Sequence, residues 1–136
     1  MSARAELEWE EGVPPEPITS KKALEARLRE IAPKSVQQPI VACVSLTDGS
    51  KAYVGLGREE GMLFVHDRKQ LDGLTAEWIS VGDERRRGES SFWFLGDHND
   101  YEKRSFLPIA DAIRGIGEIF ETGRRPTWIQ WEENAF

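Results

Sequence analysis

One short polar stretch, Asp97-His98-Asn99-Asp100, places two carboxylates and an imidazole close together. These side chains are the types that bind divalent metal ions or transfer protons in catalysis. A hydrolytic metal site takes three protein ligands at fixed spacing, and the other histidine, His66, has no matching cluster around it. The spacing therefore predicts neither a bound metal nor another cofactor.

No serine or cysteine stands in a sequence context typical of a catalytic nucleophile. His98 could act as a general acid or base, but no serine stands in a strained strand-to-helix elbow. The single cysteine, Cys43, lies in the apolar run 39–44, where a thiol packs as a small hydrophobic group. We predict that the chain has no catalytic residues and is not an enzyme. Scattered carboxylates leave a small enzyme that depends on His98 as an alternative.

Glycines in the motif Gly55-Leu56-Gly57, with Gly61 after it, could be mistaken for a dinucleotide-binding loop. Such a loop needs a helix N-terminus directly after it to hold the pyrophosphate. Another strand is predicted to follow here. We therefore interpret these residues as turn glycines.

The charge balance limits the kinds of partner. The chain has 136 residues, of which 24 are acidic and 18 basic, for a net charge of -6. A nucleic-acid binder needs a basic face to neutralise phosphates, so this balance argues against direct nucleic-acid contact and favours solubility or a basic partner. The length suits one domain, residues 1–136. No apolar stretch approaches a signal peptide or a membrane span, so we expect a cytoplasmic protein without membrane contact.

Hydrophobic spacing predicts the elements that position these residues. Helices are predicted from a cap at Thr19 or Ser20 to Pro33, and from Phe106, with Pro108 in the first turn, through Phe120 to a stop at Gly123. Strands are predicted at 4–10, 40–46, 52–56, 62–66, 77–81, 91–95 and 127–131, with 91–95 central and with loops at 12–17 and 97–104. This order lacks βαβ units. It predicts an α+β fold with an antiparallel twisted sheet of about six to seven strands and two helices packed on one face.

Tryptophan and arginine residues offer two further candidate contact features. The chain has five tryptophans, and their apolar neighbours predict that most belong to the core, with Trp93 and Trp131 as the best partly exposed anchors. The run Arg85-Arg86-Arg87 is bracketed by carboxylates. It therefore predicts a self-neutralising hairpin tip and not a phosphate site.

From Tyr53 onward the sequence resembles the Imm1-type family of bacterial immunity proteins. The resemblance follows, in order, Tyr53-Val54-Gly55-Leu56-Gly57, Trp78-Ile79-Ser80-Val81-Gly82, Phe94, Gly96, Leu107-Pro108, Phe120-Glu121-Thr122-Gly123-Arg124-Arg125-Pro126 and Ile129-Gln130-Trp131. Its most specific part is the helix ending Phe-x-x-Thr-Gly-x-x-Pro, followed by a strand that ends in Trp.

This resemblance implies an antidote, a protein that binds a secreted polymorphic toxin in the producing cell and keeps it inactive. The family is associated especially with nucleic-acid deaminase toxins. A toxin that handles nucleic acid has a basic cleft, toward which an acidic inhibitor is steered. The predicted contact residues are Asp97, Asp100, Tyr101 and Glu102, and in second place Asp83, Glu84 and Trp93. The alternatives are solvated surface charges and a generic protein-interaction module.

Overall fold

A seven-stranded antiparallel path forms the main sheet. The computed structural model describes residues 5–67 and 76–133. Its elements are β1 (Ala5–Glu8), β2 (Glu16–Ile18), α1 (Lys21–Ile31), β3 (Ile40–Leu46), β4 (Lys51–Leu56), β5 (Glu60–Gly61), β6 (Leu63–Asp67), β7 (Ala76–Val81), β8 (Glu89–Phe94), β9 (Asp97–Glu102), β10 (Leu107–Pro108), α2 (Ile109–Thr122) and β11 (Gln130–Glu133). The path runs β11-β7-β6-β4-β3-β1-β2. The predicted α+β class, with two helices and about seven strands in the main sheet, is confirmed.

Both helices pack against one face of this sheet. Residues alternate along β3, so Ala42 and Val44 point to the helix face and are fully buried there. Leu28 of α1 and Ile116 of α2 bury their side chains in the same core. The apolar spacing of three and four residues along α2 thus becomes a continuous stripe against the strands.

Local signals set the start of α1 and the end of α2 as predicted, but α2 begins at Ile109, and Phe106 lies before it in an extended conformation. Ser20 is the N-cap of α1, and its Oγ accepts a hydrogen bond from the N–H of Ala23 at 3.0 Å. Gly123 ends α2 in the left-handed conformation, with φ of 71°. Its N–H donates to the carbonyl of Ile119 at 2.8 Å, which satisfies one of the last helical acceptors.

A β-hairpin covers the opposite face of the sheet. β8 and β9 pair along their whole length, and we refer to residues 89–102 as the arm. Phe92 of the arm is fully buried and packs edge to face with Phe106, with ring centroids 5.7 Å apart. The thiol of Cys43 is also buried, and this burial raises its pKa. The predicted packing role of the cysteine agrees with this position.

The arm corrects the prediction of a polar loop at 97–104. Residues 97–102 form β9, and only a short 3₁₀ turn at Lys103–Ser105 follows. Leu95 and Gly96 both have positive φ, 48° and 90°, and make the two-residue turn that joins the strands. The polar residues of β9 gave no strand signal because cross-strand pairing with β8 decides its conformation.

The prediction of a central strand at 91–95 was also wrong. β8 meets the main sheet only where Ile40 pairs with Trp93 in parallel, and its other partner is β9. Phe92 is buried, but Trp93 and Phe94 are only half-buried. The apolar run reflects packing of the arm onto the sheet and not full insertion into it.

Smaller corrections concern strand ends and the predicted loop at 12–17. Residues 16–18 pair with β1 as an edge strand, a position that tolerates Pro17 because an edge residue needs no N–H on its outer side. The last strand begins at Gln130 and not at 127. Arg4, at the start of the first predicted strand, lies outside the described residues.

Gly55 and Gly61 are not turn glycines, because they lie in β4 and β5, although Gly57 is one, with φ of 106°. Gly55 lies inside β4, where an added Cβ would stand 2.9 Å from Cε2 of Phe92 and 2.7 Å from Sδ of Met62. Its hydrogen side chain lets the arm approach the sheet closely. Strands β5 and β6 follow this motif, as predicted.

The tryptophans surround the core and do not fill it. All five are at least partly exposed, and Trp128 is 40% exposed, so the prediction that most belong to the core was wrong. Arginines lie over several of these rings, as Arg125 does over Trp78 at 3.7 Å and Arg114 over Trp128 at 4.4 Å. No described helix is long and apolar enough to cross a membrane.

Candidate partner-binding surface

The two faces of the arm have different chemistry because side chains alternate along its strands. Tyr101 points to the side of Phe92 and Phe94, which meets the sheet, whereas His98 and Asp100 belong to the outer face. Trp93 shares this outer face, and its ring centroid lies 5.1 Å from that of His98. The outer face therefore combines one half-buried aromatic ring with exposed polar groups.

Ser91, His98 and Asp100 form a hydrogen-bonded cluster on the outer face. Ser91 Oγ donates to Asp100 Oδ1 at 2.6 Å, and His98 Nε2 lies 2.9 Å from Ser91 Oγ and 3.2 Å from Asp100 Oδ1. A catalytic triad uses both ring nitrogens, one toward the serine and the other toward the carboxylate. Here one nitrogen faces both partners. The cluster therefore links the two strands and lacks the geometry that activates a serine.

Tyr101 anchors the sheet-facing side of the arm. Its ring lies 5.9 Å from that of Phe64 and 6.0 Å from that of Phe92. Burial, and then the negative charge of Glu77, raises the pKa of Tyr101 to about 12. The tyrosine is therefore a neutral, half-buried part of the aromatic cluster that still lines the groove described next.

An acidic groove runs between the arm and the strands β7 and β11, with a volume of about 490 Å³. Phe64 and Ile79 contribute apolar surface to it. Among the residues that the structure describes, five acidic side chains and one guanidinium, that of Arg104, line it, the acidic residues being Glu77, Asp100, Glu102, Glu132 and Glu133. Such an excess of one sign in a cleft concentrates the negative potential there.

Arg104 forms ion pairs with two of these five carboxylates. Arg104 Nε donates to Glu102 Oε2 at 2.7 Å, and its Nη2 pairs with Glu132. These two ion pairs tie the arm to the edge strand β11 across the groove. Glu77 Oε2 is buried without a hydrogen-bond partner, the one side-chain oxygen or nitrogen of the described residues in that state.

The structure brings together three of the seven predicted contact residues. Asp100, Tyr101 and Glu102 all line the acidic groove. Trp93 lies on the outer face of the arm, and Asp97 is exposed next to the turn at its tip. The proposed contact roles of these residues stay predictions.

Asp83 and Glu84 belong to the connection between β7 and β8. Asp83 Oδ1 accepts a hydrogen bond from the N–H of Arg85 at 3.0 Å, and Glu84 Oε1 accepts one from the side-chain amide of Gln130. Glu84 lines a second groove, which shares Glu102 and Arg104 with the acidic groove. In the basic run, Arg85 lies beside Asp83, while Arg86 pairs with Glu60 from outside the run. The charges of the arginine run are therefore neutralised only in part by carboxylates next to it in sequence, as had been predicted, and in part by the distant Glu60.

Sequence reasoning missed Glu77, Glu132 and Glu133 as members of this surface. One signal was present, because Glu77 is in phase with Ile79 and Val81 in a strand, where an apolar residue is expected. No comparable signal marked Glu132 and Glu133, which reach the groove only because β11 pairs with β7.

Metal chemistry has no support at this surface. Among residues 5–67 and 76–133, no group of three or more His, Cys, Asp or Glu side chains is placed to hold a metal ion. What the groove offers chemically is a set of carboxylates beside three aromatic rings, those of Phe64, Trp78 and Tyr101. This combination suits a positively charged protein surface.

Comparison with known proteins agrees with the resemblance noted in the sequence. Residues 14–133 match the family model described as Immunity protein Imm1. The matched region includes all the strands and side chains that form the acidic groove and the arm. A search of curated proteins gives no match.

Proposed function

Since this chain belongs to the Imm1 family of immunity proteins, we propose that it neutralises one cognate toxin domain by binding it and occluding its active site. The immunity role itself comes from the family. The proposed toxin is a secreted polymorphic toxin that acts on nucleic acid, of the deaminase class. The complex forms in the cytoplasm of the producing cell.

The family match over most of the chain is the observation that carries this proposal. The charge of the chain supports the more specific proposal that the toxin acts on nucleic acid. A domain that holds a nucleic-acid backbone needs a basic cleft, and this chain has a net charge of -6 with carboxylates concentrated in one groove. Complementary potentials of this kind steer two proteins together and raise the association rate.

Co-expression with the neighbouring toxin gene tests the proposal directly. The C-terminal domain of that toxin should stop growth when it is produced alone and should be harmless when this chain is present. The two proteins should elute together from a sizing column. Growth arrest that persists in the presence of this chain would refute the proposal, as would rescue without any complex.

Removing negative charge from the arm should slow its association with the toxin domain. In the triple variant Asp97→Asn, Asp100→Asn and Glu102→Gln, we expect the association rate with the toxin domain at low salt to fall about 10-fold and its dependence on salt to flatten, because steering weakens when charge is removed. Stopped-flow fluorescence at several salt concentrations measures both effects.

A matched control separates local steering from net charge. The exposed residues Glu6, Glu30 and Glu121 lie outside the arm and the acidic groove, and their replacement by Gln changes the net charge by the same amount. This variant should associate at a rate within about threefold of the original chain. Equal rates for the original chain and the arm variant would show that the arm is not the docking face.

A further inference from the structure

Glu77 is the least satisfied acidic side chain in the acidic groove. It lines the groove as a half-buried residue, yet its Oε2 is buried and accepts no hydrogen bond. A buried carboxylate oxygen without a donor costs free energy unless something compensates it. A position like this within a cleft calls for an explanation in terms of what the cleft binds.

The surroundings of Glu77 define which group could compensate it. The rings of Phe64 and Tyr101 are roughly parallel, at 29° to each other, and both line the same groove. The charge of Glu77 contributes to the raised pKa of Tyr101, in agreement with their proximity. A flat cation that can pack against an aromatic ring and donate to a carboxylate matches this environment.

We infer that the acidic groove is the receptor for an arginine side chain of the toxin domain, with Glu77 as its acceptor. The guanidinium donates two parallel N–H groups to a carboxylate, which a lysine ammonium cannot do. Within residues 5–67 and 76–133, neither Asp100 nor Glu133 has an arginine partner in the groove, and both add attraction at its rim. This inference rests on the proposed function, because the toxin domain supplies the arginine.

The ion pairs of the groove also explain why Arg104, the cation that lines it among the described residues, does not compensate Glu77. Arg104 is committed to Glu102 and Glu132, whose hydrogen bonds raise the pKa of its guanidinium. These pairs hold the groove walls in place but do not reach Glu77. An arginine from outside therefore meets a preformed acceptor, and little side-chain ordering opposes its binding.

The test compares Glu77→Gln with Glu121→Gln, a matched control on α2, which packs on the opposite face of the sheet. The probe is the C-terminal domain of the neighbouring toxin, carrying an inactivating substitution, and the dissociation constant is measured by calorimetry. Glu77→Gln should weaken binding about 30-fold or more, because an arginine is left buried opposite a neutral group. Glu121→Gln should change it less than threefold.

Urea unfolding of the free variants distinguishes binding from a structural role. Glu77→Gln removes an uncompensated charge, so its midpoint should stay equal or rise. A lowered midpoint, or a dissociation constant within threefold of the original, would overturn the inference while leaving the immunity role intact. If the original chain itself forms no complex with the toxin domain, the proposed function fails instead.

Discussion

Phe92→Ala should lower the free energy of unfolding by about 3–5 kcal/mol, the range typical for removing a fully buried phenylalanine. The ring of Phe92 is completely buried and packs against Phe106 and Tyr101. It also fills the space above Gly55, as the close approach of its Cε2 shows. The variant would leave a cavity that rigid β4 cannot close. Urea denaturation followed by tryptophan fluorescence measures the loss.

Phe94→Ala provides the matched control for this prediction. Phe94 lies two residues further along β8, on the same side, but it is only half-buried and packs edge to face on Tyr53 at 5.7 Å. Its removal should therefore cost clearly less than that of Phe92. Equal losses at the two positions would mean that the arm is not held by the buried ring of Phe92.

The Phe92→Ala substitution should also loosen the arm and thereby disturb the proposed binding surface. β8 pairs with the main sheet at a single position, so side-chain packing and a few hydrogen bonds hold the arm. Amide exchange in β9 should accelerate in Phe92→Ala more than exchange in β3. The arm carries Asp100, Tyr101 and Glu102, so toxin binding should weaken along with the protection of these amides.

Gly82→Ala should destabilise the protein by about 3 kcal/mol or more, or prevent folding, because the new methyl group would overlap a backbone atom. A Cβ at Gly82 would stand 1.9 Å from the carbonyl oxygen of Phe106. The N–H of Gly82 donates to the carbonyl of Arg104 at 2.8 Å, and Ser80 Oγ donates to that of Ser105 at 2.7 Å. These bonds hold segment 103–106 against β7, so the segment cannot move away from the new methyl group without losing both of them.

Gly117→Ala is the control for that substitution. A Cβ at Gly117 would approach the side chain of Glu25, with Oε1 at 2.6 Å, and a flexible carboxylate can turn aside. Alanine also has the better helix propensity, by about 1 kcal/mol. The stability of Gly117→Ala should therefore stay within about 1 kcal/mol of the original. Soluble yield and urea midpoints of both variants decide whether Gly82 has the role described.

This role of Gly82 gives a physical reason for one motif that carried the family resemblance. Two residues of the motif Trp78-Ile79-Ser80-Val81-Gly82 contact the backbone of segment 103–106. Ser80 and Gly82 each donate a hydrogen bond to a carbonyl of this segment, and Gly82 leaves room for it. That segment leads from β9 through the short strand β10 into α2. The motif therefore determines where the arm ends and where the longest helix begins.

The site was predictable only in part. The polar stretch before α2 correctly indicated Asp100, Tyr101 and Glu102 as residues of one surface, since they are near neighbours in sequence. Asp97 and Trp93 were grouped with them, yet both lie nearer the turn of the arm and neither lines the groove, although Trp93 shares the outer face with Asp100. A loop prediction cannot assign faces, because only a paired strand fixes which side each residue points to.

The amino-acid sequence by itself determined the start of the first helix, the end of the second, the alternation of the main strands, the acidic charge and the family. These depend on local capping, short-range periodicity and composition. Only the tertiary structure decided that polar residues 97–102 form a strand and that Glu77 lies beneath the arm beside Tyr101. Arg104 and Glu132 likewise meet across 28 positions of sequence. Such contacts arise from long-range strand pairing and packing, which no local pattern of residues specifies.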